Sequence, residues 1–214
     1  MRPRFLALAL SLAVATPAVA QDVMAEMHRD VNTAQQKFID LAKAIPESAY
    51  DWRPAEGVRS IGEVFLHVAS DNYLIPIAMG KPAPEGSGIT SDFASATAFE
   101  KRDMTKDEIV AELEASFKHL HQALGLTTQA NLNETIKFFG QDWSRLRAVV
   151  LTVTHLHEHL GQSIAYARSN DVVPPWSKSS TPDPPSPLDH EYVLRRRRPQ
   201  RVQVVAEIVA AIVR

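Results

Sequence analysis

The sequence predicts an all-α fold, a four-helix bundle in which a long crossover joins the second and third helices. Three observations support this prediction. Four stretches carry apolar residues at alternating spacings of three and four, which is the period of a helix with one buried face. Two of these stretches begin with a capping box, Ser or Thr followed three residues later by Glu. A region rich in Gly, Pro, Ser and Ala separates the second stretch from the third.

The first two helices have clear boundary signals. The first is predicted over residues 24–45, and Pro46 ends it because proline has no amide proton and clashes with the preceding turn. The second begins at Ser60, where Glu63 completes a capping box before an apolar stripe. Both stripes predict helices that lie on a common core.

The second half of the chain repeats this organisation after a break. Residues 79–99 show no sustained period and are predicted to form the crossover. The third helix begins at Thr105, with Glu108 completing its capping box. The fourth is predicted over residues 143–169. Between them, only the short run of residues 135–139 resembles a strand.

The amino-terminal residues 1–20 have the pattern of a secretory signal peptide. Arg2 and Arg4 form the positive start, residues 5–14 the apolar stretch and residues 18–20 the small-residue cleavage site. We therefore expect a periplasmic or secreted protein with no stable membrane span after cleavage, because no later segment resembles a span. An uncleaved anchor is the alternative, and the shortness of the apolar run disfavours it.

The rest of the chain divides into a predicted domain and a tail. The domain covers residues 21–177, and the tail covers residues 178–214. The tail contains a Pro-rich linker, four consecutive arginines at 195–198 and a short apolar run. We expect it to be poorly ordered and assign it no function.

Composition excludes several classes of function. The chain has no cysteine, so any metal must be bound through nitrogen and oxygen atoms. Residues 21–177 contain 14 Lys plus Arg and 21 Asp plus Glu, a net charge of −7. Because nucleic-acid binding needs a basic face, we expect no nucleic-acid partner. A small molecule is the expected substrate, and the sequence leaves open whether two copies pair as a homodimer.

Three histidines are candidate metal ligands. His155 and His159 are four residues apart on the fourth predicted helix, so both imidazoles point to one side of it. Many metal-binding sites use two histidines in this way. His67 lies at the apolar edge of the second helix, where an unpaired imidazole would lose its hydration. We predict that these three histidines bind one divalent metal and leave a position open. A tyrosine or a backbone carbonyl beside His67 is the simpler alternative.

Two polar residues share the face of the histidine pair. Gln162 and Tyr166 follow one and two turns after it and are candidates for orienting a ligand or a substrate, or for ordinary hydrogen bonding within the bundle. His157 points elsewhere. The other histidines are predicted to be surface residues: His28, His119, His121 and His190.

Residues 155–159 also satisfy the H-x-x-E-H pattern of inverted zinc peptidases. In that interpretation, Glu158 is the general base and a downstream carboxylate is a further ligand. Only Glu191 and Glu207 follow the motif, and both lie in the tail. The motif without its structural context is a weak hypothesis.

Residues 22–177 resemble the DinB-like family, also called DinB/YfiT-like proteins. The matching pieces occur in order at residues 45–46, 50–54, 59–63, 67–69, 155–159, 161–162, 166–168 and 174–176. The resemblance implies a four-helix bundle in up-down-down-up order. It also implies a metal, zinc or nickel, held by His67, His155 and His159.

Some members of the family transfer low-molecular-weight thiols or open epoxides and rings. The resemblance therefore implies a metal-dependent hydrolase or transferase of unknown substrate. The alternative is a non-catalytic periplasmic metal- or ligand-binding module. The signal peptide departs from the thiol-using members, whose thiols are cytoplasmic, and the tail has no counterpart in the family.

Overall fold

The computed structural model describes residues 22–178, which are mostly helical. These residues form five α-helices and one hairpin: α1 Val23–Ala44, α2 Ile61–Ala78, α3 Phe93–Glu100, α4 Lys106–Leu124, β1 Thr135–Phe138, β2 Gln141–Ser144 and α5 Arg145–Ser169. The all-α class is confirmed in broad terms, with a two-stranded sheet added. The predicted signal peptide and the tail beyond residue 178 lie outside the described residues.

Local sequence signals position the helix ends. The side chain of Ser60 accepts a hydrogen bond from the Glu63 amide, and the Glu63 carboxylate accepts one from the Ser60 amide. Thr105 and Glu108 make the same pair of bonds before α4. Helix α1 ends just before Pro46. These predicted boundaries are confirmed because each depends on a few neighbouring residues.

Two details of the sequence prediction are wrong. The predicted crossover contains α3, whose eight residues are too few to show a helical stripe. The fourth helix begins at Arg145, because Trp143 lies in β2 opposite Ile136. Phe139 and Gly140 turn the hairpin with φ of 48° and 78°, and positive φ at both central residues is what a type I′ turn requires.

Helix α2 lies at the centre of the fold. It contacts α3, α4 and α5, while α1 contacts α4 and α5. Phe65 of α2 is fully buried and meets Phe38 of α1 edge-on, with ring centroids 6.5 Å apart. Phe117 of α4 lies 6.0 Å from the same Phe38 ring. This apolar packing places one face of α2 against α5, where the candidate histidines lie.

Residues 22–172 belong to one compact unit, and residues 173–178 belong to a second. Within the second unit, Pro175–Ser177 form a 3-10 turn. None of the helices in residues 22–178 has both the length and the apolar character needed to cross a membrane.

His119 on α4 is buried, so its predicted surface position is wrong. The residue is only 6% exposed. Its ring meets the Tyr73 ring edge-on, with the two ring centroids 5.3 Å apart. Its Nε2 has no hydrogen-bond partner among residues 22–178. Burial lowers the pKa of His119 because the interior disfavours the charged ring, and Lys81 lowers it further. His190 lies outside the described residues.

This burial makes stability depend on pH. The pKa of His119 is lower in the folded chain than its unfolded value of about 6.5. Below about pH 6.5, the unfolded chain therefore binds more protons at this residue than the folded chain does. Its contribution to stability is therefore complete above about pH 6.5 and is lost as pH falls through the folded pKa. We expect His119→Gln to reduce the slope of unfolding free energy against pH below about 6.5, as measured by urea denaturation. The exposed His157→Gln is the control; an unchanged slope in His119→Gln would contradict the assignment.

Candidate metal centre

Packing of α2 against α5 brings the three candidate histidines together. The Nε2 atom of His67 lies 3.0 Å from Nε2 of His159 and 3.2 Å from Nε2 of His155. One ring nitrogen of each histidine lies within 4.8 Å of the others. The structure thus brings together all three residues that the sequence singled out, in an arrangement that can hold a metal ion.

The partners of two rings define where their protons lie. Nδ1 of His67 is 2.7 Å from the Glu100 carboxylate, and Nδ1 of His159 is 2.8 Å from the side-chain oxygen of Gln162. Both partners are acceptors, so each Nδ1 donates a hydrogen bond away from the cluster and each Nε2 faces the other ring. Two ring nitrogens 3.0 Å apart repel each other through their lone pairs unless a proton or a metal ion lies between them. A cation between them removes this repulsion, so the donor set fits a divalent metal.

Glu100, at the end of α3, is a site residue that sequence reasoning missed. Its carboxylate accepts two hydrogen bonds from the Arg59 guanidinium, at 2.7 and 3.1 Å, besides the one from His67. Burial raises the pKa of this carboxyl, but the bonds from His67 and Arg59 outweigh burial and lower it to about 2. Glu100 is therefore an anion at neutral pH. A carboxylate that fixes the far nitrogen of a histidine is the common support of a metal ligand.

His159 is held in the neutral form that a metal ligand needs. Burial lowers its pKa to about 4, more than the bond to Gln162 raises it. Gln162 in turn donates to the Tyr166 hydroxyl at 3.1 Å, and the Tyr166 ring meets Trp52 edge-on. Gln162 thus contacts a candidate ligand directly, whereas Tyr166 contacts it through Gln162. Their functional roles stay a prediction.

Asp71 is a second residue that the sequence analysis missed. It follows His67 by one helical turn, and its Oδ2 lies 3.0 Å from Nε2 of His155 and 3.7 Å from Nε2 of His67. The spacing of four between His67 and Asp71 on α2 is the signal that could have found it.

Comparison with known proteins agrees with this architecture. A family model described as the DinB superfamily matches residues 31–163. The chain belongs to the DinB superfamily. The resemblance that the sequence motifs indicated is therefore confirmed.

Solved structures similar to this DinB chain show the same fold. A DinB-like protein from Bacillus cereus is 14% identical, with a TM-score of 0.60 over 72% of this chain and 97% of that one. A DinB-like protein from Bacillus subtilis is 18% identical, with a TM-score of 0.54 over 73% of this chain and 99% of that one. A conserved protein from Enterococcus faecalis is 17% identical, with a TM-score of 0.57 over 70% of this chain and 97% of that one. No curated protein matches the sequence.

The structure of residues 22–178 does not support the peptidase interpretation of the H-x-x-E-H motif. Glu158 is exposed on α5, whereas the carboxylates that meet the histidines are Asp71 and Glu100. The downstream acidic residues Glu191 and Glu207 lie outside the described residues. Nothing in residues 22–178 places Glu158 as a general base beside a metal.

A cavity of about 620 Å³ lies further along α2. Leu74 and Ala78 line it and occupy the same helical face as His67 and Asp71, because they follow Asp71 by three and seven residues. Leu74 is about 4.5 Å further along the helix axis than Asp71, at 1.5 Å per residue. The remaining lining residues are Ile77, Ser91, Ile136, Lys137, Phe138, Phe139 and Gly140.

Proposed function

We propose that this DinB protein binds one divalent transition metal, zinc or nickel, through His67, His155 and His159, and acts on a small molecule as a metal-dependent hydrolase or transferase. The convergence of three Nε2 atoms is the observation that carries the proposal. Acceptors at the far side of two rings leave their Nε2 atoms pointing inward, and this arrangement suits a metal cation.

We further propose that α1, α2, α4 and α5 are the four helices of the DinB bundle, in up-down-down-up order. Helix α2 contacts α4, and α1 contacts α5, as this order requires of its parallel neighbours. The connection from α2 to α4 spans residues 79–105, which is long enough for a crossover. Helix α3 is part of this crossover and supplies Glu100 to the site.

The chemistry divides between the metal and the chain. A bound divalent metal supplies Lewis acidity, which polarises a substrate oxygen or lowers the pKa of a substrate hydroxyl or thiol. Glu100 and Gln162 hold the His67 and His159 rings in the orientation that binding needs. Tyr166 stabilises Gln162 through its hydroxyl.

The cavity supports a small-molecule substrate with an apolar body. Its volume of about 620 Å³ is within the range of about 300–1,000 Å³ typical of ligand sites. Apolar and aromatic side chains such as Leu74, Ile136 and Phe138 line most of it. None of the three histidines lines this cavity, so a substrate bound there would have to extend along α2 to reach them.

Export is part of the proposal. The pattern of residues 1–20 supports a periplasmic or secreted protein, and the net charge of −7 over residues 21–177 supports small molecules over nucleic acid as partners. Outside the cytoplasm, hydrolysis or ring opening is favoured over transfer of a cytoplasmic thiol.

A substrate screen with a metal control tests the activity. The mature protein, loaded with zinc or nickel, is assayed with esters, lactones, and epoxides plus a thiol. We expect turnover that disappears after chelation and returns with the metal. Turnover that survives complete chelation would contradict the metal's role. Stoichiometric metal without turnover would favour the non-catalytic metal- or ligand-binding module instead.

The variant Tyr166→Phe refines the same assay. The change removes only the hydroxyl that meets Gln162, so metal should be retained. If Tyr166 orients the substrate or the site, turnover falls while metal content stays the same. Unchanged turnover would remove Tyr166 from the mechanism.

A further inference from the structure

Asp71 is a partly buried carboxylate at the centre of the candidate site. Its side chain is only 15% exposed. Within residues 22–178, its hydrogen-bond and ion-pair contacts are confined to the rings of His67 and His155. A carboxylate that faces two inner ring nitrogens favours a cation between them.

The two carboxylates of the site differ in what holds them. Glu100 is fixed by two bonds from Arg59 and faces the outer nitrogen of His67. Within residues 22–178, Asp71 forms no ion pair with a guanidinium, although its charge contributes to raising the pKa of Arg59, and it faces the inner Nε2 atoms. Glu100 therefore orients a ligand from outside, whereas Asp71 points at the place where the metal would lie.

The separations between Asp71 Oδ2 and the two nearer histidines are close to the edges of a tetrahedral metal site. Metal bonds of about 2.0–2.2 Å in a tetrahedral site place ligand atoms about 3.3–3.6 Å apart. Nε2 of His67 is 3.0 Å from His159 and 3.2 Å from His155. Oδ2 of Asp71 is 3.0 Å from Nε2 of His155 and 3.7 Å from that of His67. Three of these separations are shorter than the tetrahedral value and one is slightly longer. Asp71 is outside the set of residues whose ligand atoms all lie within 4.8 Å of one another, so its Oδ2 lies on the His67 and His155 side of the site.

We propose that Asp71 is the fourth protein ligand, closing the metal site with a carboxylate that a substrate atom displaces. The inference rests on the proposed metal site and replaces its expected open position with an occupied one. Three neutral imidazoles and one carboxylate give a nitrogen and oxygen donor set that suits zinc. Within residues 22–178, no guanidinium or backbone donor bonds the Asp71 carboxylate, so a stronger donor can displace it from the metal.

The predicted substrate class follows from this exchange. A neutral carbonyl oxygen is a weaker donor than a carboxylate, whereas thiolates and other anionic groups compete with it. The site should therefore select substrates that carry an acidic oxygen or sulfur donor next to an apolar body. The apolar cavity along α2 accommodates that body.

Diffraction from zinc-loaded crystals tests the ligand directly, without any activity assay. We expect an anomalous peak at the three Nε2 atoms, with Asp71 Oδ2 at about 2.0–2.2 Å from the metal. Zinc on the three histidines with solvent in the fourth position and Asp71 beyond bonding distance would overturn this inference alone. No zinc at the histidines would overturn the proposed function and this inference together.

Anion binding to the cobalt-loaded protein tests displacement in solution. Azide is titrated into wild type, Asp71→Ala and Asp71→Asn while the visible absorption of cobalt is followed. If Asp71 fills the fourth position in most molecules, azide should bind the variants about tenfold or more tightly than wild type. Glu158→Gln, an exposed carboxylate on α5, should behave like wild type. Equal azide affinity in wild type and both Asp71 variants would overturn the inference.

Discussion

Replacing both His155 and His159 with alanine is expected to abolish high-affinity metal binding. Two of the three converging Nε2 atoms are removed, and the remaining His67, even with Asp71 beside it, cannot hold a metal tightly. Titration of zinc into the metal-free protein should show affinity more than 100-fold weaker, a larger loss than the 10- to 100-fold that removal of an outer partner typically causes. Isothermal titration calorimetry measures this change.

The same helix provides a matched control. His157 lies between the two histidines, and its side chain is exposed. His157→Ala should bind zinc as wild type does. Zinc should also raise the melting temperature of wild type and His157→Ala, since a ligand at about 1,000 times its Kd stabilises the folded state by about 4 kcal/mol. Retained tight binding in the double variant would show that the three-histidine site is not the metal site.

The second large effect is expected at Glu100. In Glu100→Gln the shape of the side chain is kept, but the negative charge that faces His67 and Arg59 is lost. The His67 ring is then less firmly oriented and a poorer donor, so zinc affinity should fall about 10- to 100-fold. Competition with a chromophoric chelator measures the affinity.

Glu114→Gln is the control for this variant, because Glu114 forms an exposed ion pair with Lys43. Such surface pairs contribute about 0–1 kcal/mol, and this one does not meet the histidines. The melting temperature of each metal-free variant separates a loss of binding from a loss of folding. Wild-type zinc affinity in a well-folded Glu100→Gln would show that Glu100 does not support a metal ligand.

Local signals in the sequence were sufficient to predict most helix ends. A capping box joins residues three apart, so Ser60 with Glu63 and Thr105 with Glu108 define helix starts whatever lies around them. The pairing of His155 with His159 is equally local, since a spacing of four places both on one face. His67 could be named because its apolar neighbours predicted burial.

Contacts between distant segments could not be predicted in this way. Glu100 reaches His67 only because α3 packs on α2, and α3 is too short for a periodic stripe. His119 was assigned to the surface because it is polar, yet the buried face of α4 is wide enough to include it. Asp71 was within reach of sequence reasoning, as the residue four after His67.

The metal content of the mature protein tests the central claim most directly. The chain is purified without an affinity tag or chelator, and its metals are measured by elemental mass spectrometry. The three converging histidines predict about one equivalent of zinc or nickel per chain, because neutral imidazoles in a preformed site bind such metals tightly. A protein that is isolated without metal and takes up neither zinc nor nickel when they are added would contradict the account.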